Sequence, residues 1–179
     1  MDVDLFSETD LPAFNRWFTH ADEALQFGGP ELAFPFSEAF LHSLTNGDSM
    51  SPEGAPDITF AGRVQGELVG SAQLHFHRNQ RMAVLARVVI NPAWRGKGMA
   101  WPLLKPVVDF FFADINMQRL ELSVYSFNSA AIRTYKKLGF VYEGIRRANV
   151  QASDGQRWDT LIYGMLREDY LKMRARSAA

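Results

Sequence analysis

Between residues 58 and 90 apolar positions alternate with polar ones, and from residue 99 onward stretches with a helical repeat interrupt that two-residue period. The alternation predicts strands over 58–64, 68–77 and 83–90, the first two joined by a tight hairpin at Gln65-Gly66-Glu67. Within the second strand, Leu74 and Phe76 share one face while His75 and His77 share the other. The pattern then predicts a helix over 99–114, a strand over 119–125, a helix over 129–138 and strands over 140–150 and 157–166. Asp154-Gly155 marks the turn of the last hairpin. Nearer the N-terminus, Thr9-Asp10 introduces a short helix over 11–18, with Pro12 tolerated in its first turn. A second helix over 37–44 puts Phe40, Leu41 and Leu44 on one side and stops at Asn46-Gly47. Residues 45–57, rich in Ser, Pro, Gly and Asp, read as an exposed loop. The sum is a single α+β domain over residues 1–179, a mixed sheet with helices on both faces.

Composition narrows the chemistry. The 179 residues, 47% hydrophobic and 13% aromatic, suffice for one core. A net charge of −1 offers no global attraction to nucleic acid or to an anionic membrane, so neither is expected as a partner. No window approaches the roughly 18 apolar residues needed to span a bilayer, and Met1-Asp2-Val3-Asp4 lacks the look of a secretory signal. Cytoplasmic residence is the default expectation. With no cysteine there is no disulfide, no thiolate–metal site and no thiol nucleophile. Four scattered histidines without paired-ligand spacing give no reason to expect a metal.

The stretch Arg95-Gly96-Lys97-Gly98-Met99-Ala100 carries the most chemistry. It follows the apolar run Val88-Val89-Ile90 and opens a helix, and a helix start presents unpartnered N–H groups and a partial positive charge. Glycines let such a backbone close around an anion, and Arg95 and Lys97 add full charges. A pyrophosphate is the ligand class implied. Gly98 is followed by Met99, which excludes the G-K-[ST] ending of a nucleotide-triphosphate loop, and Trp101 stands where a dinucleotide loop needs its third glycine.

The R-G-x-G-x-A pattern after Asn91-Pro92 resembles the acyl-CoA loop of the GNAT N-acetyltransferases. Asn128 through Phe140 resembles the second cofactor motif of that family, N-x-x-A-x-x-x-Y-x-x-x-G-F, in the right order along the chain. The resemblance covers about residues 58–166 and implies a mixed, mostly antiparallel central sheet. It extends to Phe27-Gly28-Gly29-Pro30, Pro35-Phe36-Ser37 and Trp158-Asp159-Thr160, which are similar to the branch acetylating ribosomal-protein N-termini and spermidine. It implies acetyl-CoA as co-substrate and an amine-bearing small molecule or protein N-terminus as acceptor. The backbone of Val88, Val89 and Ile90 would run beside the pantetheine arm, with an N–H near Val89 facing the thioester oxygen. Arg95, Gly96, Lys97, Gly98, Met99, Ala100 and Trp101 would hold the pyrophosphate. Asn128 would cap a helix or touch the cofactor arm. Tyr135 would protonate the leaving thiolate, although its spacing with Ile132 and Leu138 equally suits a core position.

Several points stay open at this level. Pro102 and Pro106 stand where the family has a continuous helix, which predicts a kink or a late start at Pro106. Glu67, His75, His77 and Arg87 lie on or beside central strands, yet none matches a family base position, so the base is unassigned and both histidines read as solvated or capped. Glu31, Glu38 and Asp159 could attract a cationic acceptor, which should lie between the last hairpin and the two N-terminal helices. A polyamine site would show a denser acidic cluster. The competing reading is a non-catalytic acyl-CoA sensor, and the oligomeric state is left open, a homodimer included.

Overall fold

The computed structural model describes residues 1–47 and 56–177. The chain runs β1 (Asp2–Leu5), α1 (Leu11–Asn15), α2 (Ala21–Gly28), α3 (Glu38–Asn46), β2 (Ile58–Val64), β3 (Glu67–His77), β4 (Met82–Ile90), α4 (Ala100–Ala113), β5 (Arg119–Tyr125), α5 (Ser129–Leu138), β6 (Val141–Gln151), β7 (Arg157–Leu166) and α6 (Arg167–Ser177). The strands form one sheet in the order β1-β2-β3-β4-β5-β7-β6, antiparallel throughout except for β4 beside β5. The expected strands from residue 58 onward all form, within a residue or two of their predicted ends. The expected loop at 45–57 falls largely outside the described residues.

One face of the sheet carries α4, α5 and α6. On α4, Leu103, Leu104, Val107, Val108, Phe111 and Phe112 recur at helical spacing and are all buried. The late start expected at Pro106 does not occur, because the helix begins at Ala100 and is unbroken to Ala113. Pro102 sits in the first turn, where its missing N–H is no loss. Pro106 forfeits one bond at a cost of about 3 kcal/mol. Six buried side chains at about 1.5–3 kcal/mol each outweigh it.

The other face carries α1, α2 and α3 on an aromatic cluster centred on Phe14, whose ring meets those of Phe6, Trp17, Phe18 and Phe27 at 5.2–5.6 Å. Arg63 of β2 grips Asp10, just before α1, through two 2.7 Å bonds. Burial pushes the Asp10 carboxyl up, but Arg63 and the Ser7 N–H and hydroxyl hold it below its ordinary value.

Four elements depart from expectation. The helix predicted over 11–18 is only Leu11–Asn15, while α2 and the terminal β1 and α6 were not foreseen.

Candidate active site

The site begins with a gap in the sheet. β4 and β5 pair only where Met82–Val84 meet Arg119–Glu121, and past Val84 they have no shared rungs. β4 also holds one extra residue. Ser71 pairs with Val89 and Gln73 with Ala86, so two steps on β3 match three on β4. Arg87 takes a φ of +50° at that bulge, a region costly for a side chain with a Cβ. The extra residue resets the alternation: Ala83 and Leu85 face the α4 side, and so do Val88 and Ile90, three residues on rather than two.

A cleft of about 320 Å³ occupies the gap. Its walls come from Val84–Val88 of β4, Ser123–Tyr125 of β5, the end of α2 from Gln26 to Pro30, and the β6–β7 hairpin. Tyr135 lines it from the α5 side. The N-terminal helix that lines the cleft is thus α2 rather than α1 or α3. Two contacts hold it there: the Tyr125 hydroxyl donates to the Leu25 carbonyl at 3.3 Å, and the Ser153 hydroxyl donates to Asp22 at 2.7 Å.

The predicted residues divide between this cleft and the start of α4. Tyr135 and Asn128 are in the cleft wall, as is Val88. Val89 is buried against the aromatic cluster and Ile90 packs toward α4, neither lining the cavity. Burial pushes the Tyr135 phenol up, so it stays protonated across the physiological range, and no hydrogen bond to its hydroxyl forms among the described residues. Asn128 accepts the Ala131 N–H at 3.2 Å and so caps α5 while facing the cleft.

Arg95 to Trp101 form the turn that enters α4. Gly96 and Gly98 adopt φ of +76° and +74°, the left-handed region that glycine enters freely. α4 has no side-chain cap, and among the described residues no acceptor takes the N–H groups of Gly96, Lys97, Gly98 or Met99. That is a ready anion site. Arg95 reaches the Ile90 carbonyl at 3.2 Å and lies 3.8 Å from Glu23 of α2. Lys97 stacks over Trp94, and Lys137 over Trp101, at 4.9 and 5.0 Å. Ala100 is the first residue of the helix.

Other expectations need correction. Of the two expected states of His75, solvated or capped, the structure has the capped one, with Nδ1 2.5 Å from the buried Asp57, and it also places the ring in the cleft wall, which was not expected. Asp57 was assigned to a loop, and nothing local signals a partner eighteen residues away. Arg87 donates to Gln73 at 2.8 Å, and Gln73 to Thr59 at 3.1 Å, extending a polar layer beneath the cleft. Burial pushes the Arg87 guanidinium down, partly offset by the Asp57 charge. Glu67 instead accepts the Trp94 indole N–H at 2.9 Å. Glu31, Glu38 and Asp159 are not in the cleft wall. Among the described residues, no three His, Asp or Glu side chains gather as metal ligands would.

Residues 15–140, which include the parting strand β4 and the uncapped start of α4, match the pattern of the Acetyltransferase (GNAT) family. The chain belongs to the GNAT family. Among its relatives, a spermidine N(1)-acetyltransferase of Escherichia coli is 35% identical over 89 residues, 48% of this chain and 46% of that protein. An L-amino acid N-acetyltransferase of the same species is 28% identical over 83 residues, 45% of this chain and 51% of that protein. The matched stretches thus span about half of these curated relatives. The fold agrees over nearly the whole length: spermidine N-acetyltransferase from Vibrio cholerae in complex with CoA and spermine superposes with a TM-score of 0.75 at 20% identity, covering 95% of this chain and 97% of that one. The ribosomal-protein-S18-alanine N-acetyltransferase of Escherichia coli gives 0.65 at 23% identity, with 92% of each chain covered.

Proposed function

We propose that this GNAT protein transfers an acetyl group from acetyl-CoA to a primary amine by direct attack in a ternary complex. Three observations carry the reading: the uncapped start of α4, the edge of β4 that β5 leaves unpaired, and the buried Tyr135 in the wall of the cleft between those strands. The pyrophosphate suits the N–H groups of Gly96 through Ala100 with Arg95 and Lys97 beside them, and Trp101 flanks the turn. The pantetheine amides suit the free edge of β4 over Val88, Val89 and Ile90, with Asn128 opposite. Tyr135 donates its proton to the departing sulfur, a role that a phenol held neutral by burial can fill. Without cysteine, and with no serine in a recognisable nucleophile setting, a covalent acetyl-enzyme is disfavoured.

The acceptor is read from charge. Among the described residues the cleft wall holds Arg87 and Arg146 and no Asp or Glu. Arg146 is exposed and makes no ion pair among them. An ion pair at an exposed arginine is worth about 0.2–1 kcal/mol, up to roughly fivefold in affinity. That supports an amine bearing its own carboxylate, such as an amino acid or an acidic N-terminal peptide, over a polyamine. Initial rates of CoA release across L-amino acids, N-terminal peptides and spermidine test both points. Intersecting double-reciprocal lines and a preference for anionic acceptors are expected. Parallel lines refute direct transfer, and a preference for spermidine refutes the acceptor class.

A further inference from the structure

An amine acceptor reaches neutral solution mostly as an ammonium ion, with a pKa of about 8 for a peptide N-terminus and about 10 for an alkylamine, so something must remove a proton before nitrogen can attack. His75 is placed for that. The Asp57 carboxylate can only accept, so the 2.5 Å contact fixes the proton on Nδ1 and leaves Nε2 as the lone-pair nitrogen. The Asp57 side chain is fully buried and that of His75 is 13% exposed, which makes the first a fixed brace and the second accessible from the cleft. β4 separates two sides of the gap. Tyr135 packs with the α4 core, whereas His75 alternates onto the opposite face of β3, where α2 closes the cleft. The other titratable groups in the wall are Arg87 of β4, Tyr125 of β5, Tyr135 of α5 and Arg146 of β6, with Asp57 behind the ring; α2 adds none.

We infer that His75, held by the positioning residue Asp57, is the base that takes a proton from the acceptor ammonium. The inference rests on the acetyl-transfer reading above. Nε2 accepts one proton, the freed amine forms the N–C bond to the thioester carbonyl carbon, and the C–S bond breaks. The sulfur takes the phenolic proton of Tyr135. The nitrogen sheds its second proton as the amide forms, and that proton restores the phenol through solvent while His75 returns its own to bulk. Acid and base therefore stand on opposite sides of one strand.

The test is the pH dependence of kcat/KM in wild type, His75→Gln and Asp57→Asn, with the best acceptor from the panel of L-amino acids, N-terminal peptides and spermidine. His75→Gln should lose about 10²–10⁴-fold at pH 7. The deficit should shrink about tenfold per pH unit as free amine accumulates, and level off above the pKa of the acceptor's own amine. CoA affinity and melting temperature should stay close to wild type. Asp57→Asn should show a smaller loss of the same shape; if it does not fold, His75→Gln decides alone. An unchanged kcat/KM, or a loss constant across pH, overturns the assignment. A wild type that binds CoA but acetylates no panel member refutes the transfer reading itself, an outcome distinct from turnover that survives without His75.

Discussion

Gly98→Ala separates two reasons for a glycine in the turn that enters α4. A Cβ built at Gly98 meets nothing within 4 Å, so no protein atom opposes it, and the cost is the φ of +74°. Holding a non-glycine residue there costs about 1–2 kcal/mol. The turn is exposed, so the unliganded variant can relax and its melting temperature should barely move. The penalty should appear on binding, as a 5- to 30-fold weaker Kd for CoA at about 1.4 kcal/mol per tenfold. Asparagine enters the left-handed region several times more readily than most residues, so Gly98→Asn should bind CoA better than Gly98→Ala, although it is larger. Gly98→Val, β-branched, should be worst. Calorimetric titration of the three variants with CoA gives the order. Asparagine weaker than alanine would mean that added atoms collide with the ligand and would refute the backbone argument. Three wild-type affinities would remove the turn from cofactor binding altogether.

Tyr135→Phe should lower kcat by about 10²–10⁴-fold while CoA affinity holds, and full turnover when chemistry limits the rate would return Tyr135 to a packing role alone. Asp10→Asn should cost about 3 kcal/mol in denaturant titration at neutral pH, since it leaves Arg63 with one carboxylate fewer. Because the Asp10 pKa is lowered in the folded state, that gap should be full above about pH 5 and close as pH falls below the usual carboxylate range near 3.9. A gap persisting at pH 2 would contradict the ion pair as its cause. Phe111→Ala, at a 1% exposed position, should cost about 3–5 kcal/mol with CoA binding intact in the residual folded protein.

The sequence was most legible where a local signal matched a local structure. The Gln65-Gly66 turn has both residues at positive φ, as a two-residue hairpin requires. Ser37 accepts the Phe40 N–H, and Asn128 caps α5, each at a helix start that the residue type announced. What escaped depends on distant partners. β1 is four residues with two aspartates, and it is a strand because β2 offers it an edge. α2 reads weakly alone and is held by Tyr125 and Ser153, a hundred or more residues away. In α6 only Tyr170 is buried among the residues of known exposure, so the helical period had little to show. The His75–Asp57 pair failed for the same reason: alternation put His75 on the polar face, but only the folded sheet brings Asp57 beneath it.

The missing rungs between β4 and β5 divide the sheet into two plates, β1 to β4 and β5-β7-β6, stitched at Met82–Val84 and Arg119–Glu121. On one face the shared core beneath α4 and α5 bridges the plates; on the other, among the described residues, side-chain and loop contacts such as Tyr125 to Leu25 do so. Bonded on one face by a packed core and on the other by fewer contacts, the seam is built to yield on the side away from α4. A cofactor arm laid along β4 would act as a splint between the plates. Amides lining the seam should then change from fast to slow hydrogen exchange on CoA binding, while those between β2 and β3 stay as they were.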